Sequence, residues 1–262
     1  MTTARPVFLK FAAIVFAAIL GTSAGLSADL PNPQSLPKVE DVMKHYVDAV
    51  GGHDAIFKHQ SMTVHEKLDV SAGDKHASLN RAVYYKNGKS HEVLDLPDGG
   101  QYQSGYDGKT AWEMSTAGSA ALIEGDEAKS KVRDADMYYP ARILDYFNSM
   151  GVVDIADFEG HTCYHLKGIN NWGKPNEHFY DTKTGLLIGY RFNSAWRGGP
   201  GDESVVFNDY KSFDGWLIPT RVDHKQPQQT LTEEIGSITF DDVPDSQFTL
   251  PDPVKALLAK PH

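Results

Sequence analysis

Only one cysteine, Cys163, occurs in the 262 residues. A lone thiol has no internal partner, so no disulfide framework holds this fold and its stability must come from burial. Positive charge is also short: 25 Lys and Arg stand against 35 Asp and Glu, a formal net charge of −10. Nucleic-acid binding needs clustered Lys and Arg to neutralise phosphates, and a chain this acidic has no such footprint. The same balance argues against anionic membrane surfaces as the main partner, leaving transient membrane contact only. No run of about 20 apolar residues, the length a spanning helix needs, is present. Beyond residue 28 there is no phosphate-binding glycine loop, no H-E-x-x-H and no Cys-His-Asn pattern, and the 11 histidines are scattered without the spacing of a triad. Nothing in these motifs calls for a catalyst, a cofactor or a metal.

What the chain does have begins with an export signal. Arg5 and Lys10 precede an apolar run, Phe11 to Leu20, and small residues follow it, with Leu26-Ser27-Ala28 suited to a signal peptidase. Residues 1–28 therefore read as a signal peptide cleaved after Ala28, a retained N-terminal anchor being the alternative. No cysteine near the cleavage region offers a lipid attachment point. The expected location is the periplasm. Gly21-Thr22-Ser23-Ala24-Gly25 matches the G-x-S-x-G nucleophile elbow only by coincidence, since that motif has meaning inside a folded strand-turn-helix. Cleavage removes two positive charges and no negative ones, taking the formal charge from −10 to −12.

Residues 29–37 are proline-rich and read as an extended leader. A helix follows, with Val39, Val42, Met43, Tyr46, Val47 and Val50 on one stripe and Gly51-Gly52 as its stop. From Ser61 the period changes to that of strands, punctuated by Ala72-Gly73-Asp74, Asn87-Gly88, Asp98-Gly99-Gly100 and Asp107-Gly108. Asn-Gly and Asp-Gly turns at this spacing predict an antiparallel meander, not βαβ units. Residues 124–149 interrupt the strands with a polar helix and a short apolar face. Strand signals then resume from 152 to 240, with Leu186, Ile188, Tyr190 and Phe192 expected on one face. The prediction is a mainly β (α+β) domain over 38–253: one strongly curved antiparallel sheet of about eleven or twelve strands, an unclosed β-barrel. The N-terminal helix and the 124–149 insertion would cover its apolar concave face, leaving a tail over 254–262.

At this point the chain resembles the exported LolA-like proteins, the outer membrane lipoprotein-sorting family. The resemblance spans most of residues 39–251. It rests on Tyr46-Val47-Asp48-Ala49-Val50-Gly51-Gly52, on Gly105-Tyr106-Asp107-Gly108 with Trp112, and on Phe179-Tyr180-Asp181-Thr182-Lys183-Thr184-Gly185-Leu186-Leu187. Asn208-Asp209-Tyr210, Asp214-Gly215, Pro219, Val243-Pro244-Asp245, Phe248 and Pro251 continue it. It implies a half-barrel whose cavity shelters lipid or lipoprotein acyl chains, and Arg133 and Arg142 are the nearest candidates for a lid-locking arginine. Related domains use the same scaffold to bind an envelope protein partner.

Ligand-cavity candidates are then Trp112, Met114, Tyr190, Phe192 and Phe207, with core packing as the alternative role. Lid candidates are Met137, Tyr138, Ile143, Leu144 and Phe147, with a fixed helix as the alternative. His161, Cys163 and His165 share one strand face, but the outer two stand roughly 13 Å apart along a strand, too far to serve one zinc. The expected arrangement is a small buried cysteine between surface histidines. Asp107 and Asp181 read as turn residues. Three functions follow in order: a non-catalytic lipid or acyl-chain carrier, an envelope interaction or sensor domain, and an enzyme acting on the envelope.

Overall fold

The computed structural model describes residues 36–195 and 201–259. The expected signal peptide and all but the end of the expected leader lie outside the described residues.

The apolar stripe becomes α1 (Val39–Ala49), which buries Val42, Met43 and Tyr46. Burial of each such side chain is worth about 1.5–3 kcal/mol. Gly51, at φ +116°, turns the chain into the short α2 (Gly52–Ile56). An added Cβ on Gly51 would lie 2.1 Å from the Gly215 carbonyl oxygen, so the turn admits no side chain. Six strands follow: β1 (Ser61–Ala72), β2 (Lys75–Lys86), β3 (Lys89–Asp95), β4 (Gln101–Tyr106), β5 (Ala111–Ser115) and β6 (Ala120–Ile123). Asn87 and Gly88 both have positive φ, as the hairpin signal requires. Then come α3 (Gly125–Asp134), two 3-10 turns (Tyr139–Ala141 and Ile143–Tyr146) and seven more strands. These are β7 (Phe147–Phe158), β8 (His161–Asn170), β9 (Pro175–Asp181), β10 (Leu187–Asn193), β11 (Asp202–Phe213), β12 (Trp216–Gln226) and β13 (Gln229–Phe240). The described chain closes with a 3-10 turn (Asp245–Phe248) and α4 (Asp252–Leu258).

All thirteen strands form one antiparallel sheet in the order β6-β5-β4-β3-β2-β1-β13-β12-β11-β10-β9-β8-β7. The sheet is open, with β6 and β7 at its edges and the helical insertion joining those edges in sequence. The strand count exceeds the expected eleven or twelve because β6 is only four residues long, too short to show a period. The insertion also ends earlier than predicted: Phe147 to Gly151 already pair with β8. Where a tail was expected, α4 packs against β5 and β6 and buries Val254 completely.

Two apolar clusters hold the molecule. The larger joins α1 and the insertion to the concave face through Tyr46, Val50, Met137, Ile143, Leu166, Tyr180 and Leu187. Tyr46 meets Tyr180 edge-on at 5.4 Å. The smaller holds Phe158, Cys163, Phe179, Ile188 and Val206. The expected shared face of Leu186, Ile188, Tyr190 and Phe192 is broken here. A register shift between Leu187 and Gly189 against β9 sends Ile188 to the smaller cluster, while Leu187 and Tyr190 line the cavity described next.

Candidate functional site

Between the concave face, α1 and the insertion lies a cavity of about 540 Å³, within the range of small-ligand pockets. Four of the ten cavity and lid candidates line it: Met137 and Ile143 from the insertion, Tyr190 from β10 and Phe207 from β11. Trp112 and Met114 stand elsewhere. Trp112 is 3% exposed, packs on Gly105 and lies 5.4 Å from the His91 ring, on the β5 surface against which α4 packs. Phe192 does not line the cavity but packs on Tyr190 at 5.7 Å. Tyr138 points its hydroxyl at the His59 carbonyl oxygen, 2.6 Å away, and stacks on Phe57; its neighbour Tyr139 lines the cavity in its place. Leu144 packs against the larger cluster. Phe147, the first residue of β7, meets His178 edge-on at 5.5 Å.

The two arginines of the insertion differ. Arg133 lines the cavity, donates to Asp134 through Nε (2.8 Å) and Nη2 (2.6 Å), and covers the Tyr139 and Trp172 rings at 5.6 and 5.4 Å. Arg142 bridges Asp136 and Asp145, both at 3.1 Å, and is half exposed.

The concave wall is not uniformly apolar, contrary to the sequence expectation. Seven adjacent strands, β11-β12-β13-β1-β2-β3-β4, each place one polar side chain in a row: Glu203, His224, Glu233, Glu66, Arg81, Glu92 and Ser104. Arg81 binds Glu66 at 3.0 Å and Glu233 at 2.9 Å, with Glu92 at 3.5 Å. His224 bridges Glu203 (3.0 Å) and Glu233 (3.3 Å). Lys131 of α3 donates to Ser104 Oγ at 2.9 Å, and Ser104 donates to Glu92 at 3.1 Å. The Glu66 side chain is 6% exposed and that of Glu203 3%. Burial raises the Glu66 carboxyl above its usual range despite Arg81. Burial works equally against charge on Glu233, but His224 and Arg81 outweigh it and hold its carboxyl below the usual range.

Two histidines on this wall titrate in opposite senses. His224 is disfavoured as a cation by burial, but its bonds to Glu203 and Glu233 prevail and raise its pKa to about 9. A folded-state value above the unfolded one gives stability that is complete below about pH 6.5 and is lost as pH rises through 9. His178, buried first and then facing the charge of Arg133, is pushed down to about 3. It therefore costs stability as pH falls below 6.5, because only the unfolded chain takes up the proton. The free energy of unfolding read from urea titrations should accordingly fall from pH 6.5 to 9, by up to about 3 kcal/mol at the limit, and His224→Gln should flatten that flank. A flank of unchanged slope in the variant would show that His224 is not the group responsible.

The remaining sequence candidates are structural. Cys163 is fully buried, and burial, then Asp181, pushes its thiol up to about 12. His165 is not on the surface: it is 8% exposed, stacks on Phe179 at 4.7 Å and bridges Asp154 and Glu177. The reason is the smaller cluster, which extends the packed region across that face. His161 pairs with Asp181 at 3.1 Å. Among the described residues no three or more His, Cys, Asp or Glu are grouped to hold a metal ion. Asp107 accepts from the Lys109 and Thr110 amides, and Asp181 from those of Lys183 and Thr184, each closing a turn.

Among solved structures, this architecture is similar to a LolA superfamily protein from Nitrosomonas europaea. The two share 12% identity over 82% of this chain and 99% of that one, with a TM-score of 0.60. It is also similar to a DUF1329 family protein from Desulfovibrio piger, at 15% identity over 80% of this chain and 97% of that one (TM-score 0.58). A putative outer membrane lipoprotein-sorting protein domain from Vibrio parahaemolyticus aligns over 77% of this chain and 92% of its own, with 11% identity and a TM-score of 0.54. No family model matches the sequence, and no curated protein does. The chain has a LolA-like fold.

Proposed function

We propose that the protein is a lipid-binding carrier of the periplasm, non-catalytic, that holds an acyl chain between its half-barrel and its insertion. The observation that carries this reading is the 540 Å³ cavity, walled in part by Met137, Ile143, Tyr190, Leu187 and Phe207. Apolar burial of a chain there would contribute roughly 25 cal/mol per Å² before the costs of association. Among the described residues no helix is long and apolar enough to cross a membrane. The insertion joins the two open edges in sequence, which supports reading it as a lid.

The test uses N-phenyl-1-naphthylamine, an uncharged fluorescent probe of lipid sites, together with native mass spectrometry of protein purified from its own periplasm. Saturable probe uptake and a co-purifying lipid are expected. Val83→Trp, which fills the cavity from β2, should reduce uptake at least tenfold while the circular dichroism spectrum is kept. No uptake and no bound lipid would end this reading. One observation favours a protein partner as a second reading: β7 is a twelve-residue edge strand carrying Val153 and Ile155 at 44% and 49% exposure. Unpaired edges of this kind accept added strands.

A further inference from the structure

The cavity's chemistry is divided, and the division bears on what its ligand carries besides hydrocarbon. One part of the wall is the charged row without Glu66, together with Ser90 and Lys131; another is a set of tyrosines, Tyr46, Tyr85, Tyr139, Tyr180, Tyr190 and Tyr210. A bare hydrocarbon laid on the charged row would displace water from it without replacing a single hydrogen bond, an unfavourable exchange. The row's charges are already spent on one another: Arg81 with Glu66, Glu92 and Glu233, and His224 with Glu203 and Glu233. The other charged groups lining the cavity are paired as well, Lys131 with Glu92 at 3.9 Å, Arg133 with Asp134 and Asp136 with Arg142, so an ionic head would bring a charge with no counter-charge waiting for it. A hydroxyl has no such problem. It donates to a carboxylate oxygen that still has a lone pair, or accepts from an ammonium or serine hydroxyl.

Two further groups point the same way. The Tyr180 hydroxyl and His178 Nδ1 are buried and have no hydrogen-bond partner, although both residues line the cavity and are 0% and 2% exposed. They sit two residues apart on one face of β9, their rings 6.3 Å apart and nearly parallel. Orphaned polar groups in a protein interior are destabilising, and an uncharged oxygen is the kind of partner that these two lack. His178 is held neutral here, so the pair matches a neutral donor and acceptor, not an anion. Tyrosine rings with their apolar faces and polar tips complete a wall suited to the C–H faces and hydroxyls of a polyol.

Resting on the lipid-binding reading above, we propose that the cavity selects an amphiphile with an uncharged, hydroxyl-rich head, such as a sugar or polyol borne on an acyl chain. The head lies on the row formed by Glu92, Ser90, Ser104 and Lys131, and the chain lies against Met137, Ile143 and Phe207.

The test compares dodecyl maltoside, dodecyl sulfate, dodecyltrimethylammonium and free maltose, each below its micelle concentration, as displacers of N-phenyl-1-naphthylamine from the full-length mature protein. Dodecyl maltoside is expected to displace the probe at a tenfold or lower fraction of the concentration of either charged detergent. Ser90→Ala and Glu92→Gln should each shrink that preference several-fold. Ser90→Ala removes only a hydroxyl from a half-buried position, so loss of folding does not confound it. Equal or tighter displacement by a charged detergent would overturn the head-group proposal and leave the lipid reading standing. Failure of the probe to enter at all would strike the lipid reading itself. Displacement by maltose alone would uphold recognition of the head and move its source from a lipid to a free saccharide.

Discussion

Replacing Arg81 by Met lowers the free energy of unfolding by about 3–5 kcal/mol, the usual result of removing one partner from a buried ion cluster. Three carboxylates depend on this one guanidinium: Glu66 at 3.0 Å, Glu233 at 2.9 Å and Glu92 at 3.5 Å. Their side chains are only 6%, 15% and 25% exposed, so water cannot take over the role of Arg81. For a domain of this size the melting temperature should drop by about 10 °C. Urea unfolding followed by tryptophan fluorescence reads the change directly. Adding Glu66→Gln to the Arg81→Met variant should recover part of the loss, because burial already inclines that carboxyl towards protonation, and contacting residues do not add independently. A loss under about 1 kcal/mol would mean that the row behaves as a surface network.

Gly189→Ala is expected to cost about 3 kcal/mol, at the upper end for a single inserted methyl. A Cβ on Gly189 would stand 2.1 Å from the Val205 carbonyl oxygen and 2.7 Å from the Phe158 ring. Neither can step aside cheaply. The carbonyl belongs to the strand paired with β10, and Phe158 is 1% exposed and stacked on Phe179 with centroids 4.1 Å apart. Above those two rings lies the Arg191 guanidinium, at 5.0 and 5.1 Å. Gly236→Ala is the control: it also lies in a strand, but its nearest atom is 3.5 Å away, so its effect should stay within about 0.5 kcal/mol. Comparable losses for the two variants would show that strand glycine is replaced at a general cost here, with no special role for the Phe158 contact.

Much of the architecture was legible because the signals were local. The α1 stripe, the Asn-Gly and Asp-Gly turns and the ten-residue spacing each belong to one stretch of chain, and together they specify a meander with a helical cover. The parts that escaped were settled by tertiary context. A four-residue strand such as β6 carries too few residues to show a period, and β10 changes face at a shift of register that no alternation displays. The charged row leaves a partial trace in the sequence. Glu66 falls between Val64 and Leu68, Arg81 beside Val83 and Tyr85, and Glu233 between Leu231 and Ile235, all at the parity of inward-facing residues. What no single strand could reveal is that these exceptions meet, since Glu66 and Glu233 come together only through the pairing of β1 with β13. Trp112 has the opposite lesson. Its size and its parity with Met114 point to an interior place, and it has one, but away from the cavity, on the strand β5 that packs with the C-terminal helix.

The strand order has one more consequence. Every other neighbouring pair in the sheet joins strands consecutive in sequence, so each can zip from its own turn; β1 and β13 alone must find each other across nearly the whole chain. That closure carries the largest loop entropy in the molecule. The seam it makes runs down the middle of the sheet, and the ion cluster straddles it: Glu66, Arg81 and Glu92 come from one flank, Glu203, His224 and Glu233 from the other. Neither flank by itself owns a finished binding wall. Pairing of β1 with β13 is what brings the two flanks of the wall together, so a chain held apart at that seam would keep its other hairpins and lose the continuous charged row.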